Sequence, residues 1–419
     1  MLGNPPSPLW RHGDFLRLWA AQTVSDFGAR ITREGLVIVA VMGLSASPGQ
    51  LGLLSALANG PGLLVGLAAG DFVDHTQRRP ILIAADFARA AVLLSLPIAA
   101  WLHLLSMLQV YATAALVGAG SVLFSIADHA YLPGLVGRGL VTDANAKLSL
   151  TESVGEMGGP ALAGVLFQWL TAPVAIIVNA ATYVVSGVLL ACIRSSEPPT
   201  DPRVRRRGWV DGVVTGARAA WAEPPVRALL VMTATGGLFG GFFGALYIAF
   251  VLRGLGLNPA LLGLGIATGG LGALAGSLLA QPMGRWLGVG PAICATGVLS
   301  ALGTMLVLLG PPNLVGGTAA LVVSQFLGDF FGVIPLILAT SLRQTLLPTR
   351  MLGRVGATFR AASGAAMVAG ALAGGALGGV FGLRQTLLCA IGGLLIGPIW
   401  GALSPLGRVR DMPPGEELA

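Results

Sequence analysis

The sequence predicts an all-α integral membrane protein of twelve transmembrane helices, arranged as two six-helix bundles related by a pseudo-two-fold axis. Three observations predict it. The 419 residues are 54% hydrophobic and only 10% charged, with a mean hydropathy of +0.80, whereas a soluble domain carries roughly 25% charged residues. The apolar residues fall into runs close to the ~20 residues that a helix needs to cross a bilayer. The later runs also repeat features of the earlier ones at an offset of 210 residues.

The first run, 15–43, is too long for a signal peptide and lacks a cleavage site, so it reads as a span behind a short cytoplasmic segment, 1–14. Runs 49–69, 80–102, 108–128, 147–169 and 172–193 complete a first bundle over 15–193. Residues 194–225, with "SSEPPTDPRVRRRG" and "AAWAEPP", have the Pro and charge content of a cytoplasmic linker. One amphipathic surface helix is expected there, around Trp209 to Trp221. Runs 226–251, 259–283, 290–310, 314–341, 355–380 and 384–404 form a second bundle over 226–404, followed by a cytoplasmic tail, 405–419. Runs this long exclude an outer-membrane barrel, whose strands are short and alternate apolar with polar residues.

Charge fixes the expected orientation. Of 25 Lys and Arg, 20 fall at one side of the spans, Arg253 and Arg384 at the other, and Arg30, Arg33 and Arg89 within spans. Basic loops stay in the cytoplasm, which places both termini and the linker there, in a multi-pass protein of the cell membrane. The net charge of +7 therefore belongs to topology, and no nucleic-acid partner is expected. Cys192, Cys294 and Cys389 sit singly in three spans, and the four histidines are scattered, so neither a disulfide framework nor a metal site is expected. No cofactor is expected either. The sole lysine, Lys147, lacks the glycine-rich phosphate loop of an ATP-driven pump. HExxH is absent, "FLGDFF" around Asp329 lacks the leading Gly of an aspartyl intramembrane protease, and "AASGA" around Ser363 lacks that of a serine one. An enzyme is not expected.

The repeat is carried by glycines. Gly60, Gly62 and Gly66 correspond to Gly270, Gly272 and Gly276, and Pro160 and Gly164 correspond to Gly370 and Gly374. Glycines four apart share a helix face and let two backbones approach closely. Two bundles with equivalent close-packing faces suit rocking motion around a central site.

Between the second and third runs lies the polar stretch "GDFVDHTQRRP", residues 70–80. It resembles the loop signature of the major facilitator superfamily, with Gly70, Asp74, Arg78 and Arg79 matching while His75 and Gln77 depart from the pattern. The resemblance implies a role for Asp74 in locking the two bundles at the cytoplasmic face. In the fifth run "GEMGGPALAG" resembles the superfamily's antiporter signature through Gly155, Gly159, Pro160 and Gly164, with Ala163 in place of one glycine. "FLRLWAAQTVSDFGARIT", "ILIAADFARA" and "YLPGLVGRGLVTDANAKLSL" are similar to the branch of siderophore, enterobactin-type and macrolide-type exporters. The resemblance implies a monomeric secondary active transporter, a proton-coupled antiporter exporting a small lipophilic or amphipathic compound by alternating access. The alternatives are a lipid or lysolipid transporter of the same fold, and an uptake symporter.

In that superfamily spans one, four, seven and ten line the cavity. Phe239, Phe243, Tyr247 and Phe250 of span seven fall within an arc of roughly 80° at about 100° per residue, and Gln325, Phe326 and Phe330 of span ten could face them as substrate-cavity residues. Asp329 stands near the middle of span ten. Span one, "VSDFGARITREGLVIV", places Asp26, Arg30, Arg33 and Glu34 on one face, at about 0°, 40°, −20° and 80°. Each such charge costs roughly 2.5–3.5 kcal/mol at a helix centre. Asp26–Arg30 and Arg30–Glu34 are expected as i,i+4 pairs, and Arg33 is expected to meet Glu156 of span five. A carboxylate released by arginine and protonated in one state would couple proton entry to substrate exit. Glu34 and Glu156 are the first candidates, then Asp26 and Asp329; the alternative is an ionic cluster that merely joins spans one and five. Asp86 and Arg89, three apart in span three, are expected to pair as scaffold.

Overall fold

The computed structural model describes residues 8–170, 172–195, 197 and 209–412, without the side chains of 8, 63–64, 67–71, 74, 138, 156–157, 172 and 209–211. Each expected span becomes one helix. They are α1 (Gly13–Ile38), α2 (Pro48–His75), α3 (Arg78–Trp101), α4 (Met107–Val136), α5 (Val141–Trp169) and α6 (Ala172–Ala191), then α8 (Pro224–Ala249), α9 (Pro259–Leu287), α10 (Val289–Leu309), α11 (Leu314–Leu346), α12 (Thr349–Phe381) and α13 (Leu383–Leu403). Between them α7 (Trp209–Ala222) is the expected surface helix.

The helix ends follow from local chemistry. Asn258 and Asn313 accept from the amides of Leu261 (2.9 Å) and Gly316 (2.7 Å), capping α9 and α11. Gly288 and Gly382, at φ 89° and 82°, make the turns into α10 and α13 where a side chain would be strained. α1 and α8 each end in a single π turn, Val39–Gly43 and Phe250–Gly254.

Among the described residues nine helices are long and apolar enough to cross a membrane by composition. α1, α2 and α5 fall outside that set. α1 does so because its apolar face is interrupted by Asp26, Arg30, Arg33 and Glu34. The outward faces are apolar, with Leu116, Leu278, Leu336 and Val380 from 56% to 76% exposed. Such surface suits lipid and would be a liability in water.

The chain forms two compact units. One takes the residues up to Leu44 and from Leu57 through α6, and the other takes Ser45–Ala56 and everything from α7 onward. In the first unit α1 packs on α5 and α6, and α3 on α4 and α6. In the second α8 packs on α12 and α13, and α10 on α11 and α13. These are equivalent pairings. Consistently, α1 and α8, α2 and α9, α3 and α10, and α6 and α13 begin 211 residues apart.

The glycine tracks lie where α9 meets α11 and where α2 meets α4. A Cβ on Gly272 or Gly276 of α9 would overlap the carbonyl oxygen of Phe326 or Phe330 in α11. In the first unit a Cβ on Gly118 of α4 would overlap the Ala58 carbonyl, and one on Gly62 of α2 would lie 2.8 Å from Val122. Only glycine admits such contact, which is how helices pack tightly without a hydrophobic drive between them.

Candidate functional site

The charged stripe of α1 lies in the seam with α5 and α6. A Cβ on Gly159 would come within 2.7 Å of the Arg30 stem, and Gly155 and Gly158 face the Phe27 ring at 4.0 and 3.9 Å. The antiporter-like glycines Gly155 and Gly159 thus form the bed for Phe27 and Arg30, and Pro160 and Gly164 continue as buried positions of α5. On the other flank the buried Asn179 of α6 bonds Thr32, with its amide oriented to donate to the Gly28 carbonyl at 2.7 Å.

The pairing along the stripe differs from expectation. Glu34 is buried, and its carboxylate pairs with the adjacent Arg33, Nε to Oε1 3.0 Å, while the Arg33 side chain is 58% exposed. The i,i+4 partnership expected between Arg30 and Glu34 is replaced by an i,i+1 one. Neighbouring residues on a helix do not normally face each other. Here the Arg30 stem is laid against Gly159, and the long Arg33 side chain reaches round to Glu34 instead. The expected Arg33 partner, Glu156, has its side chain outside the described residues. Asp26 is half-buried among the charges of Glu152, Arg30, Arg89 and Asp86.

Asp86 and Arg89 form an ion pair, as their i,i+3 spacing suggested, at the centre of a wider network. The Arg89 guanidinium stands over the rings of Phe124 (4.7 Å) and Tyr183 (4.3 Å), and Nη1 donates to Ser121 at 3.2 Å. Asp86, Arg89, Tyr183 and Ser186 each keep a buried polar atom without a hydrogen-bond partner. Gln22 of α1 donates to Asp128 of α4, and Trp19 donates to Thr151 of α5 at 2.9 Å. The sequence offers no signal for these cross-helix bonds beyond the presence of polar residues in apolar runs.

The loop motif divides. The side chains of Gly70 and Asp74 lie outside the described residues. Arg78 and Arg79 fasten α3 to the end of α6. Glu197 accepts from the backbone amides of Arg78 (2.7 Å) and Arg79 (3.2 Å) and from Arg78 Nη1 (3.0 Å), so it caps α3, whose own Gln77 offers no side-chain cap. Arg79 in turn donates to the carbonyls of Leu190 (3.1 Å) and Ala191 (2.7 Å), closing the C-terminal end of α6. Asp14, just before the first expected span, accepts from the Arg194 and Ser195 amides (3.2 and 2.9 Å) and from Arg17 (2.5 Å). Burial raises the Asp14 pKa, but the bonds from Ser195, Arg194 and Arg17 outweigh it and hold the carboxyl at about 2.

In the second unit the expected aromatic face of α8 is split. The Phe239 ring lies against Gly393 of α13, and the Phe250 ring against Gly254 of its own π turn. These two belong to helix packing, because the wheel placed them on one arc without showing which neighbour that arc meets. Phe243 and Tyr247 remain stacked at 5.0 Å. On α11 Phe326 and Phe330 stack at 6.1 Å, and Gln325 lies half-buried one turn before Asp329. A Cβ on Gly269 would overlap the Asp329 carboxylate, which therefore rests directly on the α9 backbone. Among the described residues Asp329 has no ion-pair partner.

Residues 4–414 match the family described as transmembrane secretion effector, of the major facilitator superfamily. The multidrug efflux pump Tap of Mycolicibacterium fortuitum is 26% identical over 364 residues, 84% of this chain and 86% of that protein. The uncharacterized MFS-type transporter YfiS of Bacillus subtilis (strain 168) is 25% identical over 184 residues; the match spans 44% of this chain and less than half of that protein, 43%. The nucleoside transporter NupG superposes with a TM-score of 0.77 at 11% identity, over 93% of this chain and 98% of that one. A bacterial homolog of the human lysosomal transporter Spinster, inward-facing, gives 0.71 at 16%, over 98% and 100%. At these identities the two structures show the fold alone.

Proposed function

We propose that this chain, which belongs to the transmembrane secretion effector family of the major facilitator superfamily, is a proton-coupled exporter of a small lipophilic or amphipathic compound. The family is one of multi-pass membrane transporters, not enzymes. The observation that carries the proton coupling is the α1 stripe. Asp26, Arg30 and the buried Glu34 occupy an otherwise apolar helix, with Arg30 wedged on Gly159 of the antiporter-like segment. Ionisable groups at such depth are expensive and are retained for function more often than for architecture. The efflux direction draws support from Tap, named as an efflux pump. Phe243–Tyr247 and Phe326–Phe330 supply aromatic surface for a lipophilic substrate. The basic loops support cytoplasmic termini.

The test is flux in liposomes under an imposed pH gradient, with wild type, Asp26→Asn and Glu34→Gln. Wild type should concentrate substrate against its gradient, and the substituted proteins should only equilibrate it. If both variants still concentrate substrate, the coupling site lies elsewhere. Vesicles of the two orientations separate export from uptake, and a labelled lysolipid in the same vesicles tests the lipid alternative.

A further inference from the structure

Where the start of α3 meets the end of α6, the first unit contains a cavity of about 210 Å³ whose walls include Arg78, Tyr131, Gly134, Ser195 and Glu197. A single water needs only about 10–15 Å³ of such space. Two polar groups of the lining residues are unsatisfied. Tyr131 is 3% exposed and its hydroxyl has no hydrogen-bond partner, and neither has the buried Nε of Arg78. Each buried polar group left unpaired costs about 1–3 kcal/mol, so two at one cavity mark a place where an acceptor would be stabilising. Arg Nε–H can only donate, and a tyrosine hydroxyl can donate as well.

The surrounding charge selects the acceptor. Among the described residues the Arg17, Arg78 and Arg79 side chains stand with Asp14 and Glu197, three positive charges to two negative. Both carboxylates are already engaged, Asp14 by the Arg194–Ser195 backbone and Glu197 by Arg78 and two amides. Arg17 and Arg78 are paired with these carboxylates, which leaves the Arg79 charge, bound to neutral carbonyls, in excess, and both free donors belong to residues that line the cavity. At Gly134 an added Cβ would meet nothing within 4 Å, so that wall stands open.

We propose that this cavity binds a phosphate group, with Arg78 Nε and the Tyr131 hydroxyl donating to its oxygens. A phospholipid headgroup and a free phosphate share this chemistry. The site is separate from the α1 stripe and stands or falls independently of proton coupling.

The experiment uses the purified full-length protein in phosphatidylcholine nanodiscs and reads Tm. Inorganic phosphate is titrated in one arm, and phosphatidylglycerol replaces part of the phosphatidylcholine in the other. A saturable rise in Tm is expected in at least one arm, and the responding arm names the source. Tyr131→Phe keeps the ring and removes only the donor, and should raise the half-saturating concentration about tenfold, the effect of losing one hydrogen bond to a charged group. Gly134→Leu fills the open wall and should abolish the response. The proposal is overturned if neither probe raises Tm in the wild type, or if both variants titrate like the wild type.

Discussion

Substituting Asp86 by alanine would leave the Arg89 guanidinium inside the first unit without its carboxylate. The side chains are 0% and 3% exposed, so neither charge has water to fall back on. Removing one member of such a pair costs about 3–5 kcal/mol, because the survivor stays buried and uncompensated. Arg89 would retain its bond to Ser121 and its places over Phe124 and Tyr183, and a desolvated cation–π contact is worth up to about 2 kcal/mol. Those contacts already exist in the wild type, so they hold Arg89 in place and limit the loss to about 3 kcal/mol. Asp86→Leu with Arg89→Met removes both charges together with their desolvation cost, and should stay within about 1 kcal/mol of wild type. A double-mutant cycle by unfolding in detergent measures the coupling; with single losses of about 3 kcal/mol each and the double within about 1, it is expected at about 5 kcal/mol. If the double variant loses the sum of the two single losses, the pair does not act as a unit and the reasoning fails.

Two further outcomes follow from the packing and the caps. Gly370→Ala places a Cβ onto the Leu238 carbonyl and should cost about 1–3 kcal/mol, whereas Gly244→Ala, with nothing within 4 Å, should be neutral or stabilising by about 0.5–1 kcal/mol; unfolding of the two purified variants against wild type checks the contrast. Asp14, depressed from 3.8 to about 2, contributes stability that is complete above its unfolded value and lost as pH falls towards 2. The Tm gap between wild type and Asp14→Ala should therefore be constant at neutral pH and close between about 4 and 2; a gap unchanged at pH 2 would show that the ionised carboxylate does not supply that stability.

The spans were legible because a bilayer demands long apolar runs and the sequence has little else. The Asp86–Arg89 pair was legible too, because three residues on one helix already bring the two side chains together. The pairing of α1 was not. Glu34 meets Arg33 rather than Arg30 because the Arg30 stem is placed by Gly159, which lies 129 residues further along the chain. Phe239 illustrates the same limit. Its angle on the helix was computable, but the ring seats on Gly393, and a wheel carries no information about the neighbouring helix. Glu197 caps α3 from 119 residues away, in a stretch whose composition said only linker.

The internal repeat shows where the two units part ways. Arg30 of α1 corresponds, 211 residues on, to Gly241 of α8, and Pro160 of α5 corresponds at the 210-residue offset to Gly370 of α12. In the second unit a Cβ on Gly241 would overlap the Met367 carbonyl and one on Gly370 the Leu238 carbonyl, so α8 and α12 meet backbone to backbone. A seam of that kind has no titratable part, and its spacing is set by sterics alone. In the first unit the same position holds an arginine stem against a single glycine, with Asp26 and Glu34 one turn to either side. There the packing of α1 on α5 includes a charged stem, with two carboxylates nearby on α1. Among the described residues the second unit carries one mid-helix carboxylate, Asp329, resting on Gly269. If α1 carries the proposed proton coupling, the α1–α5 seam is where it would act; the contacts that Gly241 and Gly370 make between α8 and α12 involve no charged group.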